Sequence, residues 1–248
     1  MPQNGGVTMK FATQIWPLRE SYGKDMPTTL ERIAKIGYTG VELCRWFDWT
    51  DMFDKWTTED IKHVCDGVDL QVVSAHVTYP LIFEDRIAEI IQFCQAVDMK
   101  YVVVAAVPEE EAKTRASILG VAEKFNQAAA TLKPEGIRIG YHNHGFDFSP
   151  IDGDMPWDIF FSNTDPDVVM QLDIGNALRV GVDPIYYLQK YRGRGRLLHI
   201  KAFSSIGGLP AAIGDGDVNW EQMFEVCEGL HHPEWYIVEQ ETRGVDTW

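Results

Sequence analysis

Several short segments of this chain place imidazole, carboxylate, carboxamide or ammonium groups two residues apart: His142 with His144, Gln171 with Asp173, His199 with Lys201, and Glu239 with Glu241. The residues that alternate with them are apolar, as in Ile137, Ile139 and Tyr141, or Val168, Met170 and Leu172, or Leu198 and Ile200, or Tyr236 and Val238. Glu42 stands in the same way between Val41 and Leu43. Side chains of a β-strand alternate between its faces, so each segment turns its apolar residues one way and its polar residues the other. The imidazole nitrogens and carboxylate oxygens of His142, Asp173, His199 and Glu239 suit one divalent cation, Mn2+ first among Mn2+, Mg2+, Co2+ and Zn2+. Such an ion, bound to a carbonyl oxygen, stabilises the negative charge left when a proton departs from the neighbouring carbon. A second group must take and return that proton with a pKa near the working pH. His142 and His144 are of a type that titrates there with little tuning, and Glu239 or Glu241 serves if desolvated. Return of the proton to the neighbouring carbon isomerises such a compound, return to the opposite face epimerises it, and loss of a β-oxygen dehydrates it.

The elements that must position these groups alternate from end to end. Strand-like runs cover Phe11–Ile15, Gly40–Leu43, Gln71–His76, Tyr101–Ala106, Ile137–His142, Val168–Asp173, Leu197–Lys201 and Tyr236–Glu239. Amphipathic stretches at Thr29–Ile36, Glu59–Asp66, Glu84–Val97, Ala112–Leu132 and Asn219–Glu228 lie between them. Leu30, Ile33 and Ala34 show the helical spacing and Gly37 a stop. Strands alternating with helices mean a parallel sheet, and eight such units in 248 residues predict a closed (β/α)8 TIM barrel, an α/β fold. A doubly wound open sheet would carry a glycine-rich turn after its first strand, and Gln14-Ile15-Trp16-Pro17 is nothing like one. Every polar position named above falls toward the C-terminal end of its strand, the rim where barrel enzymes keep their sites. Residues 10–248 are expected to form the single barrel domain and 1–9 a disordered extension. Nine residues follow Glu239, too few for a full eighth helix, so a barrel lacking its final helix is expected, cut short or closed by another element.

The motifs Gly140-Tyr-His-Asn-His144, Gln171-Leu-Asp-Ile-Gly-Asn176, Leu198-His-Ile-Lys201, Gly214-Asp-Gly-Asp217 and Val238-Glu-Gln-Glu241 resemble the xylose isomerase-like TIM barrels. Within them they are most similar to the sugar phosphate isomerase/epimerase branch that includes inosose dehydratase-like proteins. The resemblance implies one divalent metal held by residues of strands five to eight, here His142, Asp173, His199 and Glu239. His142 stands where the epimerases have Glu, which removes one of the two carboxylates they use as an acid/base pair. The expected activity is a metal-dependent isomerase or epimerase acting on a keto-sugar or sugar phosphate. A lyase acting on inososes or oxidised glycosides is the alternative on the same scaffold. Lys201 resembles a family lysine that meets substrate oxygens. Glu42 and His76 are candidates for sugar hydroxyls, and Trp16 for stacking on a sugar ring, as are Trp46, Phe47 and Trp49.

Lys and Arg total 22 against 37 for Asp and Glu, a formal charge of −15. That balance repels phosphate backbones and anionic membranes, so neither a nucleic acid nor a membrane is an expected partner. It also argues, with only seven histidines, against the multi-metal endonuclease IV chemistry found on this fold. A metal-free sugar-binding or partner subunit is the rival of a different class, and metal content separates it from an enzyme. Cys44, Cys65, Cys94 and Cys227 are far apart and lie in or beside apolar runs, which predicts reduced thiols in a cytoplasmic protein. Exposed loop aromatics and the absent last helix predict a homo-oligomer. His231 and His232 precede the eighth strand, on the stability face, and carry no assigned role.

Overall fold

The computed structural model describes residues 9–44, 55–83, 86–206, 211–230 and 233–241. Eight strands, Phe11–Gln14 (β1), Gly40–Cys44 (β2), Gln71–Val77 (β3), Tyr101–Val104 (β4), Arg138–His142 (β5), Val169–Asp173 (β6), Leu197–Ile200 (β7) and Trp235–Val238 (β8), close into a barrel in chain order. All neighbours are parallel, and β8 returns to pair with β1. Each strand lies within two residues of its expected position, because alternation marks both its length and its faces. The helix Met26–Ile36 opens on an Asp25 cap and ends at Gly37, whose φ of +114° only glycine adopts readily. Among the described residues no helix follows β8. Residues 45–54, with Trp46, Phe47 and Trp49, and also His231 and His232, lie outside the described residues.

The strand parity sorts the molecule into two apolar layers. Val41, Leu43, Ile139, Tyr141, Met170, Leu172, Leu198, Ile200 and Tyr236 face the helices and join the large outer core. Ala12, Val73, Tyr101, Val103, Val169, Leu197, Trp235 and Ile237 fill the lower barrel interior. One position upward on the same face, the interior turns polar, with Gln14, Glu42, Gln171, His199 and Glu239 all buried.

A β-bulge disturbs this order in β3. The register with β2 passes from Val41↔Val72 to Glu42↔Ser74, so one residue is inserted. Val73 therefore joins the lower interior layer while Ser74, its neighbour, also points inward and donates to Glu42 Oε2 at 2.6 Å. Val72, Ala75 and Val77 face outward. The insertion is what brings His76 to the inside.

The four cysteines are buried and free, as expected. No helix of the described residues is long and apolar enough to cross a membrane.

Candidate metal centre

The interior polar residues assemble in two tiers. The upper tier is His142, Asp173, His199 and Glu239, four fully buried residues whose ligand-type atoms all lie within 4.8 Å of one another. His199 Nδ1 is 2.8 Å from Glu239 Oε2 and 3.9 Å from Asp173 Oδ2. His142 Nε2 is also 3.9 Å from Asp173 Oδ2. Four donors about 2.0–2.3 Å from one ion stand roughly 3.3–3.8 Å apart, so modest side-chain adjustment closes this set around a cation.

Asp173 shows best how the chain builds the tier. It ends β6 and caps the helix Ile174–Arg179, with Oδ1 accepting the Asn176 N–H at 2.7 Å. Its own N–H donates to Asn143 Oδ1 at 2.6 Å, and Asn143 Nδ2 donates to its carbonyl at 3.2 Å. Asn176 Nδ2 completes the clamp by donating to the Asn143 carbonyl at 3.0 Å. Gly175 is required beside it, because a Cβ there would meet the Lys201 carbonyl oxygen at 2.9 Å. With Oδ1 used as a cap, Oδ2 is buried and has no hydrogen-bond partner. A buried carboxylate oxygen without a donor costs free energy unless a cation satisfies it. The donor set and this unpartnered oxygen both fit a divalent ion.

Lys201 stands over the tier, 3.3 Å from Glu239 Oε1, 2.7 Å from Glu241 Oε2 and 3.8 Å from Asp173 Oδ2. Of the two glutamates left open by the sequence, Glu239 lies in the cluster while Glu241 pairs with Lys201. His144 lies on the rim, its ring 5.1 Å from that of His142 and stacked on half-exposed Phe146 at 5.5 Å. Phe146 carried no sequence signal, because it lies outside any strand alternation.

Glu42 and His76 form the lower tier with Gln14, Ser74 and Gln171. Glu42 is wholly buried, and each of its oxygens accepts from protein groups. Gln14 Nε2 at 2.7 Å and His199 Nε2 at 2.6 Å reach Oε1, while Ser74 Oγ and Gln171 Nε2, both at 2.6 Å, reach Oε2. That saturation puts Glu42 beneath the cluster as a support instead of facing a sugar. His76 is likewise engaged, its Nε2 2.6 Å from Gln171 Oε1 and 3.2 Å from Glu42 Oε1. Trp16 follows β1 in a short 3-10 turn, half-buried, with the Arg19 guanidinium 4.6 Å from its ring centre. Gln14 and Gln171 were visible to parity as polar interior residues, but an uncharged amide gave no chemical reason to single them out.

Charge in this interior follows from burial and neighbours. Burial pushes the His142 imidazole well below its usual range, and the nearby His199 charge adds to that. Burial also lowers His144, to about 4, with Lys201 helping. Both are therefore neutral at pH 7, which corrects the expectation that they titrate near neutrality. For His199 burial opposes the charged form, but Glu42 and Glu239 outweigh it and raise the pKa to about 10. Burial would raise Glu42, yet His76 and His199 hold it at about 2. Asp173 rises to about 6 through burial, with Lys201 pulling the other way.

Asp147 adds a pH dependence beside the site. Fully buried, it accepts from the Tyr141 hydroxyl and the His144 N–H, both at 2.7 Å, and burial raises it to about 7. A carboxyl whose folded pKa is raised favours the fold in its protonated form. Its ionisation therefore costs nothing below about pH 4 and increasingly destabilises the fold up to about pH 7, by a few kcal/mol in all. Urea unfolding at pH 5 and pH 8 should show a smaller loss of stability for Asp147→Asn than for the unmodified protein; equal losses would remove this account.

A closed parallel barrel whose C-terminal rim holds one His/Asp/Glu cluster defines a class of TIM-barrel proteins. The chain belongs to the xylose isomerase-like TIM barrel family, whose family model matches residues 30–247. It is 28% identical to an inosose dehydratase of Clostridium perfringens over 162 residues, covering 58% of this chain and 50% of that protein. An inosose dehydratase of Clostridium tetani is 26% identical over 139 residues, covering 49% and 46%. The chain thus spans about half the length of the curated relatives it matches. Among solved structures, a sugar phosphate isomerase/epimerase from Parabacteroides distasonis ATCC 8503 superposes with a TM-score of 0.79 at 25% identity, covering 98% of this chain and 90% of that one. An IOLI protein with a zinc atom shares the fold, at 15% identity, a TM-score of 0.73 and coverage of 95% and 90%.

Proposed function

We propose that this protein is a divalent-metal-dependent enzyme that removes a proton beside the carbonyl of a keto-sugar or sugar phosphate. His142, Asp173, His199 and Glu239 would hold the ion. The observation that carries the reading is the buried Asp173 Oδ2, which has no hydrogen-bond partner and faces two imidazole nitrogens at 3.9 Å. Two imidazoles with two carboxylates suit Mn2+, Co2+ or Zn2+ better than Mg2+, and a zinc atom is named with the IOLI structure. When bound, the ion supplies Lewis-acid stabilisation of charge developing on the carbonyl oxygen.

The chain's own groups handle the proton. Glu239 Oε1, beside Lys201, and the neutral imidazole of His144 on the rim would take it. Lys201 orients and charge-balances Glu239, and its ammonium would donate to a departing or re-protonated oxygen. Return of the proton to carbon gives isomerisation or epimerisation. A second reading, β-elimination, is favoured by one observation. By the family resemblance, His142 stands where the epimerases have Glu, and here burial keeps its imidazole neutral. A base beside an ammonium is the pair that elimination needs, and the inosose dehydratase relatives accord with it.

Metal content of the purified protein, before and after chelation and Mn2+ addition, tests the first half. About one ion per chain is expected. Incubation with ketoses and inososes in D2O tests the second, through deuterium entering the carbon beside the carbonyl or through appearance of an unsaturated product. No ion under either condition would leave a binding or subunit role in its place.

A further inference from the structure

We propose that Glu42 and Gln171 are positioning residues that decide which nitrogen each imidazole turns toward the ligand cluster: Nε2 of His142 and Nδ1 of His199. This rests on the ligand set proposed above, and it goes beyond it by assigning the lower tier a task.

Hydrogen-bond polarity fixes each orientation. A carboxylate only accepts, so every group on Glu42 must donate. Gln14 gives an independent check of that direction. Its Oε1 takes the Trp16 backbone N–H at 3.0 Å, a group that can only donate, so its Nε2 is the end left for Glu42. Gln171 is oriented in the same way, because its Nε2 must be the end that meets Glu42 Oε2 at 2.6 Å. Its Oε1 is then turned to His142 Nδ1 at 3.0 Å and His76 Nε2 at 2.6 Å. An amide oxygen only accepts, so both of those nitrogens carry hydrogen. A neutral imidazole protonated on Nδ1 has a bare Nε2, and Nε2 is the His142 atom that faces Asp173.

On the other side of the barrel, His199 Nε2 donates directly to Glu42 Oε1 at 2.6 Å, which assigns Nδ1 to the cluster. One buried acceptor thus sets both imidazoles, one directly and one through an amide relay. Such carboxylate support also raises ligand basicity, and its removal costs metal sites typically about 10–100-fold in affinity. With an amide at position 42 the direction is no longer dictated. Gln171 is then free to turn over, and His142 to protonate on either nitrogen.

The test reads each nitrogen. Imidazole 15N spectra of the zinc-loaded protein should show hydrogen on Nδ1 of His142 and on Nε2 of His199. Glu42→Gln should weaken zinc affinity, measured by chelator competition, by about 10–100-fold and populate both His142 tautomers. Gln171→Met should release His142 and leave His199 as it was. Ser74→Ala, which removes a Glu42 partner that touches no imidazole, should leave zinc affinity near that of the unmodified protein.

Hydrogen on Nε2 of His142 in the unmodified protein, or unchanged zinc affinity and spectra in Glu42→Gln, overturns the proposal. If Glu42→Gln does not fold, the unmodified and Gln171→Met spectra decide. If the protein takes up no zinc, the ligand set falls, and the His142 spectrum of the metal-free protein still decides this inference.

Discussion

Asp173→Asn should lose stoichiometric metal and yet melt at a higher temperature than the unmodified protein when both are metal-free. The asparagine oxygen can still cap the helix Ile174–Arg179 by accepting the Asn176 N–H. What it replaces is Oδ2, the buried oxygen with no hydrogen-bond partner, and an amide nitrogen there cannot ligate a cation. Lewis-acid stabilisation is worth several kcal/mol, and each 1.36 kcal/mol is tenfold, so turnover should fall by about 10³-fold or more.

The stability gain follows from linkage. Burial raises Asp173 from 3.8 to about 6, so its ionisation costs stability that is not lost below pH 4 and is fully lost above pH 6. The amide removes that cost, and for a chain of this size each kcal/mol moves the melting point about 2–4 °C. Calorimetry in chelator at pH 5 and pH 8 should show the advantage widening with pH. Retention of one ion per chain in Asp173→Asn would remove Asp173 from the ligand set.

Lys201→Met should have the opposite profile, weak without metal and restored with it. Lys201 is buried against Glu239 and Asp173 and pairs with Glu241 at the rim. Burial disfavours its charge, but Asp173, Glu239 and Glu241 outweigh that and hold it protonated. Removing one partner of a buried ion pair typically costs about 3–5 kcal/mol, because the other charge is left uncompensated. A divalent ion supplies the missing charge, so saturating Mn2+ should narrow the deficit. Urea unfolding with chelator and with Mn2+ measures both states. Turnover should stay depressed by about 10²–10⁴-fold even when metal is saturating, the range of a lost proton donor. Equal stability of Lys201→Met and the unmodified protein in chelator would refute the ion-pair account.

The barrel was legible because β2, β5, β6, β7 and β8 show a two-residue alternation between apolar and polar residues, and that period needs no partner to be seen. The helices Pro156–Ser162 and Pro184–Lys190 were not, since seven residues hold too few turns to establish a helical period. For the site, parity named the face on which His142, Asp173, His199 and Glu239 lie, and the structure brings those four together. Parity does not give height along the barrel axis. Parity alone lets Glu42 reach a sugar, whereas the folded barrel sets it a tier lower, under His199. Protonation was the other illegible quantity. A histidine's type fixes its starting pKa, but the burial that moves His142 and His144 down exists only after the walls of the barrel are built.

The inserted residue in β3 acts as a phase slip in an otherwise strict two-step rhythm. Below it Val73 keeps time with the apolar floor of the barrel; above it Ser74 and His76 keep time with the polar tiers. Any gapless superposition of this strand onto a straight one will match half of it to the wrong face. A designer grafting these tiers onto another barrel would have to carry over the slip as well as the side chains. A one-residue deletion there would remove the slip and Val73 from the floor, leaving Ser74 and His76 on the inner face of a regular strand.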